Sequence, residues 1–166
     1  MRMKRALRHL FATHWGTRRR FTPQVLADIQ KAIAQVESQH PGALRFAVET
    51  ALHPAELWHD MSPRQRAVQV FAHLLVWDTH HNNGVLIYVL LADRAVEILA
   101  DRGLAAHIAQ SEWDQICRAM ERHYRASDFG RGSVAGIEQI GRLLERHFPG
   151  SHGSSTPELP NQPVLL

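Results

Sequence analysis

Residues 77–103 read WDTHHNNGVLIYVLLADRAVEILADRG, and this stretch decides the fold. A polar loop through Asp78, Asn82 and Asn83 leads into Val85–Ala92, an apolar run without a break. The run is far shorter than the ~20 apolar residues of a spanning helix. It predicts a strand buried on both faces. Asp93-Arg94 predicts a two-residue hairpin turn, which sets Ala92 against Ala95 and Gly84 opposite Gly103. Ala95–Ala100 is then a further strand, antiparallel to the one before it.

Helices lie on either side of this hairpin. Thr22-Pro23 supplies an N-cap and an N1 proline, and Leu26, Ile29, Ile33 and Val36 follow at helical spacing. Leu44–Thr50 alternates as a strand. Ser62-Pro63 with Gln65 forms a capping box ahead of a stripe of Val68, Phe71, Leu74 and Leu75. Two more helices are predicted, from Ser111 to about Arg125 and over roughly 132–148, the latter with Val134, Ile137, Ile140 and Leu144 inward. A helical crossover joins the first two strands, so they are predicted parallel. The resulting fold class is α/β: a three-layer α/β/α sandwich around a small mixed sheet of three to four strands. Gly, Ser and Pro dominate after Pro149, which predicts a disordered tail over 150–166.

Charge divides the chain. Its net charge of +3 hides a basic arm over 1–20, where Arg2, Lys4, Arg5, Arg8, Arg18, Arg19 and Arg20 meet no acid. The rest holds twelve basic and sixteen acidic residues, a formal −4, which argues against a nucleic-acid groove on the body. Residues 2–15 suit a short basic helix with Leu7, Leu10, Phe11 and Trp15 on one side, ended by Gly16 and followed by an arginine linker. Such an arm suits an anionic membrane surface or docking on its own acidic domain better than nucleic acid. The single cysteine, Cys117, excludes an intramolecular disulfide framework and fits a reducing compartment. Its spacing with Trp113, Ile116 and Met120 reads as core. Arg8, His9 and His14 interrupt the stretch that a secretory signal would need. The expectation is a cytoplasmic protein without a transmembrane segment, peripheral at most to the inner face of the membrane.

Two clusters are candidate sites. In the predicted register Asp101 comes beside the loop carrying Asp78, Asn82 and Asn83. Carboxylate and amide oxygens of this kind suit Ca²⁺ or Mg²⁺; ordinary cap and turn chemistry accounts for them equally, with Asp101 as a helix cap. At the opposite edge, Glu49 and Thr50 end one parallel strand and Asp93-Arg94 end the next, where open α/β sheets hold ligands. The adjacent His80-His81 pair lacks the convergent set that zinc needs. No G-x-S-x-G elbow or P-loop is present.

The Asn82–Ile87 motif NNGVLI, the Asp93-Arg94 turn and the Gly103-Leu104 exit resemble the TPM domain over about 21–149. The resemblance implies the same three-layer fold and an accessory or binding module of unknown partner, one that binds a divalent cation in some members. A weak metal-assisted acid phosphatase is the alternative it implies. Nucleic-acid association through the arm is a third reading, from charge alone.

Overall fold

Seven residues of unbroken apolar character, Gly84–Leu90, form β2, buried along its whole length. The computed structural model describes residues 3–12, 14–150, 152–153 and 156–166, with only the backbone of His14; Arg2 of the arm lies outside the described residues. β2 pairs in parallel with β1 (Ala43–Glu49), with Ala43 level with Gly84. It pairs antiparallel with β3 (Ala95–Ala100), with Leu90 level with Ala95 and Val85 level with Ala100. A short β4 (Val164–Leu165) runs parallel to β1, giving the order β3-β2-β1-β4.

The helices are α1 (Met3–Phe11), α2 (His14–Arg20), α3 (Pro23–Gln39), α4 (Pro54–Trp58), α5 (Pro63–His73), α6 (Arg102–Ala105), α7 (Gln110–Arg125) and α8 (Phe129–His147). Side chains alternate across each strand, so each strand feeds two cores. Leu44, Phe46, Val48, Val85, Ile87, Val89, Val96 and Ile98 meet α3, α7 and α8 through Ile33, Met120 and Ile140. Ala47, Leu86, Tyr88 and Leu99 meet α4 and α5 through Leu57, Ala67 and Val70. The three-layer sandwich is therefore present. The caps at Thr22 and Ser62 form as expected.

The structure departs from expectation in four places. The hairpin turn spans residues 91–94 rather than two residues, with Arg94 left-handed at φ 54° and its N–H on the Leu91 carbonyl. That moves the register by two, which keeps every side chain on its expected face but sets Asp101, not Gly103, against Gly84; the Asp101 N–H donates to the Gly84 carbonyl at 2.8 Å. On α5 Val68, and just past it Leu75, are exposed while Ala67 and Val70 are buried, because a small residue fits where helix and sheet approach closely. The tail does not hang free. Leu159 is buried, Val164 and Leu165 extend the sheet, and Arg45 Nη1 donates to the Gln162 carbonyl at 2.8 Å. Its apolar end, Leu159 and Val164–Leu166, outweighs the polar stretch before it. The arm is two helices, not one. Gly16 lies inside α2, and Arg18–Arg20 form the last turn of α2 rather than a linker.

Candidate functional site

The carboxyl ends of β1 and β2, the second candidate cluster, are filled by the arm. Arg5 binds the Asp93 carboxylate, with Nη2 2.7 Å from Oδ2 and Nε 3.0 Å from it. Four residues on, the same face of α1 presents His9. His9 Nε2 lies 3.0 Å from Asp93 Oδ1, and the Leu52 N–H donates to His9 Nδ1 at 3.0 Å. Burial works against the Asp93 charge, yet the Arg5 and His9 hydrogen bonds outweigh it and hold the carboxyl below its ordinary value. From α2, Thr17 Oγ1 meets Thr50 Oγ1 at 2.8 Å. Glu49 accepts from Arg66 at 2.8 Å and from the Tyr88 hydroxyl. Burial, then the Glu49 hydrogen bond and charge, push the Tyr88 phenol far up, so it stays a donor. Glu49, Thr50 and Asp93 thus serve structural contacts. Arg94 points elsewhere, onto a cavity of about 160 Å³ with Arg20, Arg125, Tyr124 and Phe129.

The amino ends of β1 and β2 open onto a cleft of about 1020 Å³. Its lining includes Asp78 and Asn83 from the loop before β2, Glu37 from the last turn of α3, and Glu158 with His152 from the tail. Backbone contacts fix this loop. The Asn83 carbonyl accepts from the Ala43 N–H, the Asn83 N–H donates to Thr79 Oγ1, and the Asn82 carbonyl accepts from the Gly103 N–H at 2.9 Å. Asn82 sits at φ 51°, a conformation asparagine tolerates. Gly84 is packed so tightly that a Cβ there would lie 1.9 Å from the Val76 carbonyl oxygen.

Polar atoms in this region are left without partners. Asn83 is 8% exposed, and its Oδ1 meets no donor among the described residues. Glu37 is 5% exposed; its Oε1 accepts from the Leu44 N–H at 2.7 Å, and among the described residues its Oε2 has no donor at close hydrogen-bond geometry. Burial pushes the Glu37 carboxyl up to about 7, against the pull of the Leu44 N–H and of the neighbouring Asn161 side chain, and with the Glu158 charge adding to the rise. A carboxylate oxygen and an amide oxygen buried in residues that line one cleft attract a proton donor or a cation.

Of the four residues expected to converge, Asp78 and Asn83 share the cleft; Asn82 contributes its backbone, and Asp101 does not line it. Asp101 caps α6 instead: its Oδ1 accepts from the Arg102 N–H at 2.7 Å, and its Oδ2 is buried without a partner among the described residues. Among the described residues no three His, Cys, Asp or Glu side chains gather as a metal cluster. Sequence reading missed Glu37, an acid on the buried face of α3; a charged residue at the position after Val36 in an apolar stripe was the available signal. Cys117 is buried, and burial raises its thiol to about 12, so it is an inert core residue.

Comparison with known proteins places this geometry. A family model described as the TPM domain matches residues 18–143. The BA42 protein from the psychrophilic bacterium Bizionia argentinensis, solved by NMR, superposes with a TM-score of 0.74 at 28% identity, covering 87% of this chain and 94% of that one. The N-terminal domain of a protein from P. gingivalis, also solved by NMR, superposes with a TM-score of 0.56 at 16% identity, covering 76% of each chain, a likeness of fold alone. No curated protein matches the sequence.

Proposed function

The chain belongs to the TPM domain family, and from that premise we propose that it is a non-catalytic binding module whose cleft at the amino ends of β1 and β2 takes a hydrated divalent cation, Ca²⁺ or Mg²⁺. One observation supports the reading: Asn83, whose buried Oδ1 has no partner among the described residues, lines a cleft together with Asp78 and Glu37. Hard cations take oxygen ligands, and Mg²⁺ in particular keeps several waters while binding one or two carboxylates. That suits a site with few protein donors. Asn83 would supply the amide oxygen, Asp78 the exposed carboxylate and Glu37 a carboxylate once deprotonated. Asn82 and Asp101 frame the strand start through their backbone contacts with Gly103 and Gly84.

A thermal melt of the full chain tests this. Millimolar Ca²⁺ or Mg²⁺ is expected to raise the melting temperature by mass action, roughly 2.7 kcal/mol of stability at a hundredfold excess over Kd. Asn83→Ala is expected to remove the rise. A melting curve that neither ion moves, or a rise undiminished in Asn83→Ala, overturns the site. Metal-dependent release of phosphate from an aryl phosphate would replace the binding module with a hydrolase.

A further inference from the structure

The arm is attached by the polar face of α1. Arg5 and His9, one turn apart, point in and hold Asp93. Met3, Leu7, Leu10 and Phe11 share the opposite side of the same helix, since positions three, four and seven apart align. All four are exposed, with Met3 at 77%, Leu10 at 74% and Phe11 at 76%. Trp15 on α2 is exposed too, with the Arg19 guanidinium stacked 4.6 Å from its ring. An apolar stripe on water contributes nothing to the fold, so its burial is left to an external partner.

Charge selects that partner. Lys4 and Arg8 flank the stripe on α1, and exposed Arg18, Arg19 and Arg20 follow on α2, with no acid in 3–20. Helices that lie in a membrane interface have this pattern: apolar and aromatic residues on one side, basic residues along its border. A protein partner would have to combine an apolar groove with an acidic rim, whereas an anionic bilayer offers both everywhere on its surface. No described helix is long and apolar enough to cross a membrane. We propose that α1 and α2 form a lipid-docking face, seating Leu7, Leu10, Phe11 and Trp15 in the headgroup region of an anionic bilayer while Arg5 and His9 keep the domain clamped to the helix. The carboxyl edge of the sheet then lies next to the membrane, and the cleft at the amino edge opens away from it.

Co-sedimentation of the full chain with vesicles tests the proposal. Phosphatidylglycerol-containing vesicles are expected to bind it at low salt, and pure phosphatidylcholine vesicles at least tenfold more weakly. Leu10→Asp with Phe11→Asp changes only exposed side chains, so the variant stays folded, as its circular dichroism would show, yet is expected to lose tenfold or more in partitioning. Equal binding of the wild type and this variant overturns the proposal, as does failure of the wild type to bind anionic vesicles. So does a concentration-dependent dimer that the double variant abolishes while vesicles remain unbound, because a second copy would then cover the stripe. Duplex DNA binding that equals vesicle binding and survives the double substitution would likewise assign the arm to nucleic acid. None of these readouts depends on a cation in the cleft.

Discussion

Arg5 and Asp93, 88 positions apart, form a forked ion pair, with the guanidinium Nε and Nη2 both on the carboxylate. Arg5 Nη2 also donates to the Met61 carbonyl at 2.6 Å. The two side chains are 14% and 9% exposed, so the pair is shielded from the screening that weakens surface bridges. Asp93→Asn is expected to weaken docking of the arm by about 1–3 kcal/mol and to make residues 3–20 cleave readily in limited proteolysis while the rest of the chain stays resistant. Unchanged arm protection in Asp93→Asn would show that Thr17 and Thr50 suffice to hold it.

The same pair sets an acid limit. Folding lowers the Asp93 pKa, so its contribution is complete above the ordinary value of 3.8 and is lost as pH falls through the folded value below that. Hydrogen exchange of α1 and α2 is expected to stay slow at pH 5 and to quicken only below about 4. Exchange that already quickens near pH 6 would overturn the Asp93 account.

Glu37 gives the opposite slope. Folding raises its pKa from 4.5 to about 7. Its protonated form is favoured in the folded state, so its contribution is full below the unfolded value and is lost as pH rises through about 7. At 1.36 kcal/mol per unit, the limit is roughly 3 kcal/mol. Denaturant melts are expected to show stability falling between pH 5 and 8, and Glu37→Gln, which keeps an acceptor for the Leu44 N–H, is expected to flatten the profile. A profile already flat in the wild type refutes the buried-acid account. If a cation enters the cleft it competes with this proton, so the thermal shift is expected to be larger at pH 8 than at pH 6.

Gly84→Ala forces a methyl group to within 1.9 Å of the Val76 carbonyl oxygen, which is backbone and cannot swing aside. The expected cost is about 3 kcal/mol or more, read as a loss of midpoint in urea. A variant as stable as the wild type would show that the loop before β2 yields freely.

Ile87 is fully buried at the centre of β2. Ile87→Asp places an unpaired charge there and is expected to abolish cooperative unfolding, because that burial exceeds what a domain of this size holds in reserve. A sharp thermal transition in this variant would contradict the strand's central place.

The hairpin and its neighbours were legible because Val85–Ala92 has one reading as a strand and Thr22 and Ser62 carry unambiguous caps. The register was not, since whether Asp93-Arg94 makes a two- or four-residue turn depends on a left-handed residue, and Arg94 carries no glycine or asparagine signal. Hydropathy also misled on α5, where it favours Val68 over Ala67 although close packing favours the smaller side chain. The amino-edge cleft was half visible: Asp78 and Asn83 stand in the quoted stretch, while Glu37 and Glu158 reach it from distant parts of the chain. The arm defeated a simple rule, because a buried Asp93 needs a cation more than Leu10 needs shelter.

β4 has a kinetic consequence. The contacts that close the β1 edge join partners as far apart as Arg45 and Gln162, 117 positions distant. Contacts of such long range form late. Until they form, β1 is an open border carrying Phe46 and Val48, a template on which a second chain can pair. Refolding yield is therefore expected to fall with protein concentration more steeply than the finished, edge-covered sheet would suggest, and a chain halted before Pro160 would fold its two cores yet remain prone to stacking on its own kind.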